Sequence, residues 1–155
     1  MPIVGLLGPR QSGKTTLVEE VFTQKPYVSL EDLDMREYAS TDPRGFLSNY
    51  PQGAILDEAQ RVPALFSYLQ TRVDLDKNRA GQFILTGSQH FLLLEKISQS
   101  LAGRISLLTL LPLSAKELLT DHYPVGRYES LLFKGAYPRL YQQDLMVSRI
   151  HSDLY

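Results

Sequence analysis

The stretch Gly8-Pro9-Arg10-Gln11-Ser12-Gly13-Lys14-Thr15-Thr16 decides how this chain folds. Its first eight residues match G-x-x-x-x-G-K-[ST]. The apolar run Ile3–Leu7 leads into it, and a helical pattern, Lys14–Phe22, leaves it. A strand, a glycine-bounded loop and a helix, in that order, form a cradle for phosphate. Gly8 and Gly13 allow backbone angles and close approaches that a Cβ would block. The loop's N–H groups then converge on phosphate oxygens, helped by the positive end of the following helix. Lys14 brings a point charge to the β- and γ-phosphates, and Thr15 offers a hydroxyl to Mg²⁺. The expected nucleotide-binding segment is therefore Gly8, Pro9, Arg10, Gln11, Ser12, Gly13, Lys14, Thr15 and Thr16.

Downstream, Ala54-Ile55-Leu56-Asp57-Glu58-Ala59-Gln60 is an apolar strand ending in two acids. Open α/β sheets bind ligands at the carboxyl ends of their strands. Asp57 would hold Mg²⁺ there, usually through water. Glu58 is the candidate to polarise an attacking water, which points to hydrolysis rather than transfer to a second substrate. The run Gln82-Phe83-Ile84-Leu85-Thr86-Gly87-Ser88-Gln89 is a strand ending in hydroxyl and amide groups. If it lies between the first and third strands, Ser88 becomes the candidate γ-phosphate sensor, with Thr86 and Gln89 close behind. The alternative for Ser88 is a plain helix N-cap. Arg104 sits between a helix and the fifth strand. It is either a stabiliser of transition-state charge or a salt-bridged or solvated arginine.

Short apolar runs alternate with longer helical patterns along the chain, which indicates an α/β domain with a mainly parallel sheet. The expected strands are Ile3–Leu7, Tyr27–Leu30, Ala54–Leu56, Phe83–Thr86 and Ile105–Leu110. The expected helices are Lys14–Phe22, Arg44–Asn49, Leu65–Leu75, Phe91–Ser100 and Ala115–Leu119. Ser114 and Glu117 have capping-box spacing. From Gly126 the pattern reads as helix, a Gly-Ala-Tyr-Pro turn, then helix.

With 155 residues, the chain is long enough for one domain with a sizeable core. Sixteen Lys and Arg against seventeen Asp and Glu give a net charge of −1, which argues against a whole-domain basic footprint for nucleic acid, though not against a local patch. The acidic excess gathers at Glu31, Asp32, Asp34, Glu37 and Asp42, a pattern expected of a solvated loop and helix face. The absence of Cys excludes disulfide frameworks, thiol catalysis and Cys-based zinc sites, and fits a cytoplasmic protein. No apolar run approaches the ~20 residues of a membrane span.

The strings GPRQSGKTT (8–16), AILDEAQRVP (54–63), FILTGSQ (83–89), SLAGR (100–104) and LLPLSAKELL (110–119) resemble, in order and spacing, prokaryotic AAA-type P-loop ATPases. The group they resemble carries a C-terminal domain of unknown function and is related to archaeal AAA ATPases and the STAND class. The first two strings are generic to the superfamily; the last three are more specific. The resemblance implies a P-loop NTPase three-layer sandwich with strand order 5-1-4-3-2. It implies an ATPase that binds ATP or ADP with Mg²⁺, with a sensor at Ser88 and an arginine finger at Arg104. That finger would face away from its own nucleotide and act in a homo-oligomer. The expected organisation is an ATPase core at 1–121 and a helical extension at 122–155, leading to a C-terminal domain absent from this chain. Gly135-Ala136-Tyr137-Pro138 resembles a Gly-Gly-x-Pro turn of the group, but Ala136 departs from it and no role is carried over.

Three other readings have discriminators. A slow nucleotide switch would share every motif and differ only in turnover. A thymidine-kinase-like phosphotransferase pairs a similar loop with Asp-Glu-Ala-Gln, but carries a Cys-rich zinc lobe that a chain without Cys cannot build. A helicase needs a second motor domain that 155 residues cannot hold.

Overall fold

Alternation along Ile3–Gly8 (β1) sets the architecture. Ile3 and Leu7 join one apolar cluster and Leu6 the other, as successive side chains of a strand point to opposite faces. The same alternation recurs in Ile55–Asp57 (β3), where Ile55 and Leu56 divide between the clusters. It recurs again in Phe83–Ser88 (β4), where Phe83 and Leu85 face one way and Ile84 the other. Burial on both faces is what a parallel sheet covered by helices requires. The computed structural model describes residues 1–76, 78–88, 99–120 and 135–142. Two compact units make up the chain: Met1–Gly8 with Lys14–Leu110, and Pro9–Gly13 with Leu111–Tyr155.

The first unit holds a five-stranded sheet. Tyr27–Ser29 (β2) and Ile105–Thr109 (β5) are its edges, and the order is β2-β3-β4-β1-β5. This is the expected 5-1-4-3-2 read from the other edge, and every adjacent pair is parallel. The larger cluster is completed by Phe46 and Leu47 of Pro43–Ser48 (α3), and by Leu65, Phe66, Leu69 and Val73 of Leu65–Asp74 (α4). On the opposite face Val18 of Lys14–Val21 (α1) packs with Leu6, Ile55 and Ile84. Gly5 lies opposite Leu107 where β5 pairs alongside β1. A Cβ there would come within 2.7 Å of Leu107 Cδ2 and 3.0 Å of Ile105 Cδ1.

One helix departs from the sequence expectation. Leu33–Thr41 (α2) forms inside the acidic stretch. Asp32 is its N-cap, its carboxylate accepting from the N–H groups of Asp34 and Met35 at 2.9 and 3.1 Å. Only Ala39 of this helix is buried, so its sequence carries almost no apolar stripe. Asp42 ends α2 and caps α3, accepting from the Gly45 N–H at 2.9 Å with Pro43 at the first helical position.

In the second unit, Ala115–Thr120 (α5) begins with the expected capping box. The Ser114 N–H donates to Glu117 at 2.7 Å, and the Glu117 N–H donates to the Ser114 hydroxyl at 3.2 Å. These bonds hold the Glu117 carboxyl below its ordinary pKa. The Leu113 N–H donates to the Ala136 carbonyl at 2.8 Å, and the Tyr141 hydroxyl of Arg139–Gln142 (α6) donates to the Gly135 carbonyl at 2.6 Å. The expected helix at Phe91–Ser100, apart from Gln99 and Ser100, lies outside the described residues. So do the tail helices, apart from the turn and α6.

Candidate functional site

The sheet order brings three loop-forming strand ends side by side. β1 ends at Gly8, whose register partner on β4 is Ser88. β3 lies on the other side of β4 and ends at Asp57. The condition for Ser88 to stand beside the start of the phosphate loop is therefore met. Gln89 lies outside the described residues.

Asp57 is buried and takes three hydroxyl donors. The Thr15 hydroxyl donates to Oδ2 at 3.1 Å, the Tyr27 hydroxyl donates to the same oxygen at 2.6 Å, and the Thr86 hydroxyl donates to Oδ1. Thr15 belongs to the first turn of α1, so this bond ties the exit of the loop to the end of β3. Burial, and then its hydrogen bond to Asp57, raise the Tyr27 pKa well above that of an ordinary phenol, so Tyr27 stays a donor. A hydroxyl and a carboxylate this close, one on each side of the loop's exit, fit Mg²⁺, which keeps most of its waters and takes one or two protein ligands.

Lys14 is buried, and its ammonium reaches back to donate to the Gly8 carbonyl at the end of β1, at 3.1 Å. Within Pro9–Gly13 itself, the Ser12 hydroxyl donates to the Pro9 carbonyl at 3.0 Å. Gln11 and Gly13 have φ of +62° and +92°. Left-handed residues alternating with ordinary ones turn successive N–H groups to one side, the geometry of an anion nest.

Glu58 follows Asp57 in a left-handed conformation, φ 53° and ψ 45°, at the mouth of the short 3₁₀ turn Ala59–Arg61. Its N–H points at the Thr86 hydroxyl, 3.4 Å away. A non-glycine residue in this region is strained, and such strain persists only where the surroundings enforce it. The Glu58 carboxylate accepts from the Gln60 amide, whose nitrogen also donates to the Ser88 hydroxyl oxygen at 3.3 Å.

A family model described as an AAA domain matches residues 1–119. The chain belongs to the AAA domain family. Two curated mycobacterial proteins, both uncharacterised, from Mycobacterium tuberculosis and Mycobacterium bovis, are each 38% identical to it over 120 residues. That alignment covers 76% of this chain and 26% of each relative, so the chain spans about a quarter of their length. Among solved structures, a STAND protein with a tetratricopeptide repeat sensor from Pyrococcus horikoshii superposes with a TM-score of 0.53. It is 15% identical, over 99% of this chain and 30% of that one. That likeness concerns the fold. Family membership makes ATPase-type nucleotide binding the class of function of this domain.

Within the first unit, Lys14 and Thr15 open α1 after β1, Asp57, Glu58 and Ser88 stand at the ends of β3 and β4, and Arg104 lies at the other end of the sheet. Arg104 precedes β5, and its carbonyl accepts from the Ile3 N–H at the opposite end of β1 from Gly8. Its guanidinium makes a two-pronged pair with Asp74 at 2.8 and 2.7 Å. Two residues at the site went unassigned from sequence, Tyr27 and Gln60. A tyrosine in the strand next to β3 could have signalled the first, given the sheet order. Gln60 stands inside Asp57-Glu58-Ala59-Gln60, but nothing in that run says that its amide turns back onto Glu58 and Ser88. No helix among the described residues is long and apolar enough to cross a membrane.

Proposed function

We propose that this AAA domain binds ATP on Gly8–Thr16 with Mg²⁺ and hydrolyses it. The observation that carries this reading is the Thr15–Asp57 hydrogen bond, which sets a metal-binding hydroxyl and carboxylate at the exit of the phosphate loop. Thr15 and Asp57 would hold the metal, which when bound offsets phosphate charge. Lys14 reaches the β- and γ-phosphates. Glu58 takes a proton from water as the water oxygen attacks the γ-phosphorus. The bond from that phosphorus to the β–γ bridging oxygen breaks, and ADP and phosphate leave. Ser88, at the register position of Gly8, donates to the γ-phosphate.

Titration of a fluorescent ATP analogue at a series of Mg²⁺ concentrations tests the metal site. Binding is expected to be saturable and tightened by Mg²⁺. Asp57→Asn is expected to raise the Mg²⁺ needed for half-effect by about 10–100-fold, the range found when a group orienting a metal's ligands is lost. An unshifted Mg²⁺ dependence in that variant would remove Asp57 from the metal site.

For Arg104 the pair with Asp74 favours a second reading, a structural ion pair at the far end of β1. The trans-acting role requires the guanidinium to leave Asp74. Arg104→Ala and Asp74→Ala separate the two. A structural pair makes both variants lower the thermal midpoint alike and leaves hydrolysis in step. A finger makes Arg104→Ala alone abolish oligomer-dependent turnover.

A further inference from the structure

One amide group spans two of the site's reactive side chains. The Gln60 nitrogen carries two N–H bonds. One is directed to the Glu58 carboxylate and the other to the Ser88 hydroxyl oxygen. The amide has to lie this way round, because a carbonyl facing the carboxylate would oppose two acceptors. The consequences for the two partners differ. Ser88 accepts at its oxygen, so its own O–H is left to donate outward. Glu58 has one oxygen occupied, so its other oxygen is the one free to take a proton. The Gln60 carbonyl oxygen is buried and has no hydrogen-bond partner among the described residues. A buried acceptor left open is costly, and a water beside the base would satisfy it. The strained backbone of Glu58 belongs to the same arrangement: the left-handed turn lets Gln60, two residues on, fold back onto the Glu58 side chain.

We infer that Gln60 is a positioning residue for ATP hydrolysis, its single amide nitrogen fixing the base Glu58 and the γ-phosphate donor Ser88 in one geometry. This rests on the roles of Glu58 and Ser88 proposed above. The Gln60 amide nitrogen bonds to Glu58 and Ser88, and among the described residues no hydrogen bond joins it to Asp57, so its contribution is to the rate and not to nucleotide affinity. Misplacement of reacting groups by about 1 Å can cost 10²-fold in rate.

The test uses Gln60→Leu, which removes the amide, and Gln60→Glu, which keeps its shape but replaces both N–H bonds with a like charge beside Glu58. Single-turnover hydrolysis by the 155-residue chain is expected to fall on the order of 10–100-fold in Gln60→Leu and at least as far in Gln60→Glu. Affinities for ADP and a non-hydrolysable ATP analogue, and the thermal midpoint, are expected to hold. In a Ser88→Ala background Gln60→Leu is expected to cost much less, because residues that act as a unit are not additive. A fall in thermal midpoint together with both affinities, additive with Ser88→Ala, would mark Gln60 as structural and overturn the inference. Glu58→Gln run in parallel separates the two layers. If it slows hydrolysis and Gln60→Leu does not, the inference fails and the hydrolysis reading stands. If parental turnover is too slow to follow, affinity for ADP with aluminium fluoride replaces it. Weaker binding of that pair by Gln60→Leu, with ADP alone unchanged, supports the inference. Equal binding by parent and variant overturns it, and no binding by the parent overturns both readings.

Discussion

Replacing Glu58 by Gln is expected to leave nucleotide bound while lowering single-turnover hydrolysis about 10²–10⁴-fold, the range a positioned general base supplies. Gln keeps the size of Glu and keeps an oxygen to accept from Gln60, but it cannot take a proton. The left-handed backbone at Glu58 is set by the turn at Ala59–Arg61 and by the Thr86 hydroxyl, not by the carboxylate, so the variant should fold as the parent does. Measurement of γ-phosphate release under excess protein, with analogue affinity as the control, checks the expectation. Turnover at the parental rate would remove Glu58 from the chemistry.

Lys14→Ala is expected to abolish binding of the ATP analogue within the measurable range, a loss of roughly 30- to 4,000-fold. Truncating one member of a buried, hydrogen-bonded charge pair typically costs ~2–5 kcal/mol, and each ~1.4 kcal/mol is tenfold in affinity. Lys14 is only 6% exposed, and a charge–charge contact counts for more in such a buried position than in water. The loss should appear for ADP as well as for the triphosphate, since the ammonium serves the β-phosphate too. Undiminished binding would show that the nucleotide sits elsewhere. A comparable fall in thermal midpoint without nucleotide would show that the lysine's bond to the Gly8 carbonyl matters more for folding.

The sheet was legible because its strands declare themselves. Ile3–Gly8 and Phe83–Ser88 are apolar runs closed by glycine or hydroxyl residues, and burial on both faces makes such runs nearly continuous. Their order was not written in any one strand. It came with the family resemblance, and the parallel ladder bears it out. Helix α2 carries a weak sequence signal because only Ala39 is buried, with Met35 half-buried against the core and Tyr38 edge-on to Phe46, and its start rests on the Asp32 cap. Acids dominated the reading there, and the cap was counted among them.

Legibility at the site follows the same division. The candidates whose chemistry is local to a motif, Lys14, Thr15, Asp57 and Glu58, come from spacing alone, and the fold sets Thr15 against Asp57. Tyr27 comes from an edge strand thirty positions before the carboxylate it serves, so only the tertiary pairing of β2 with β3 could bring it in. Gln60 needed the left-handed turn at Glu58, and no propensity predicts a glutamate in that conformation. Arg104 shows the converse. Its place between helix and strand left two readings open, a stabiliser of phosphate charge and a salt-bridged arginine, and the fold shows a pair with Asp74 that the second requires.

The most direct test of the account is single-turnover release of labelled γ-phosphate from ATP by an excess of the 155-residue chain, with Mg²⁺ and with a chelator. The expected result is slow, complete release that requires Mg²⁺ and disappears in Glu58→Gln while that variant still holds ATP. Saturable binding without any release would make the domain a nucleotide switch and contradict the hydrolytic role given to Glu58. Release indifferent to Mg²⁺ would contradict the pairing of Thr15 with Asp57 as a metal site.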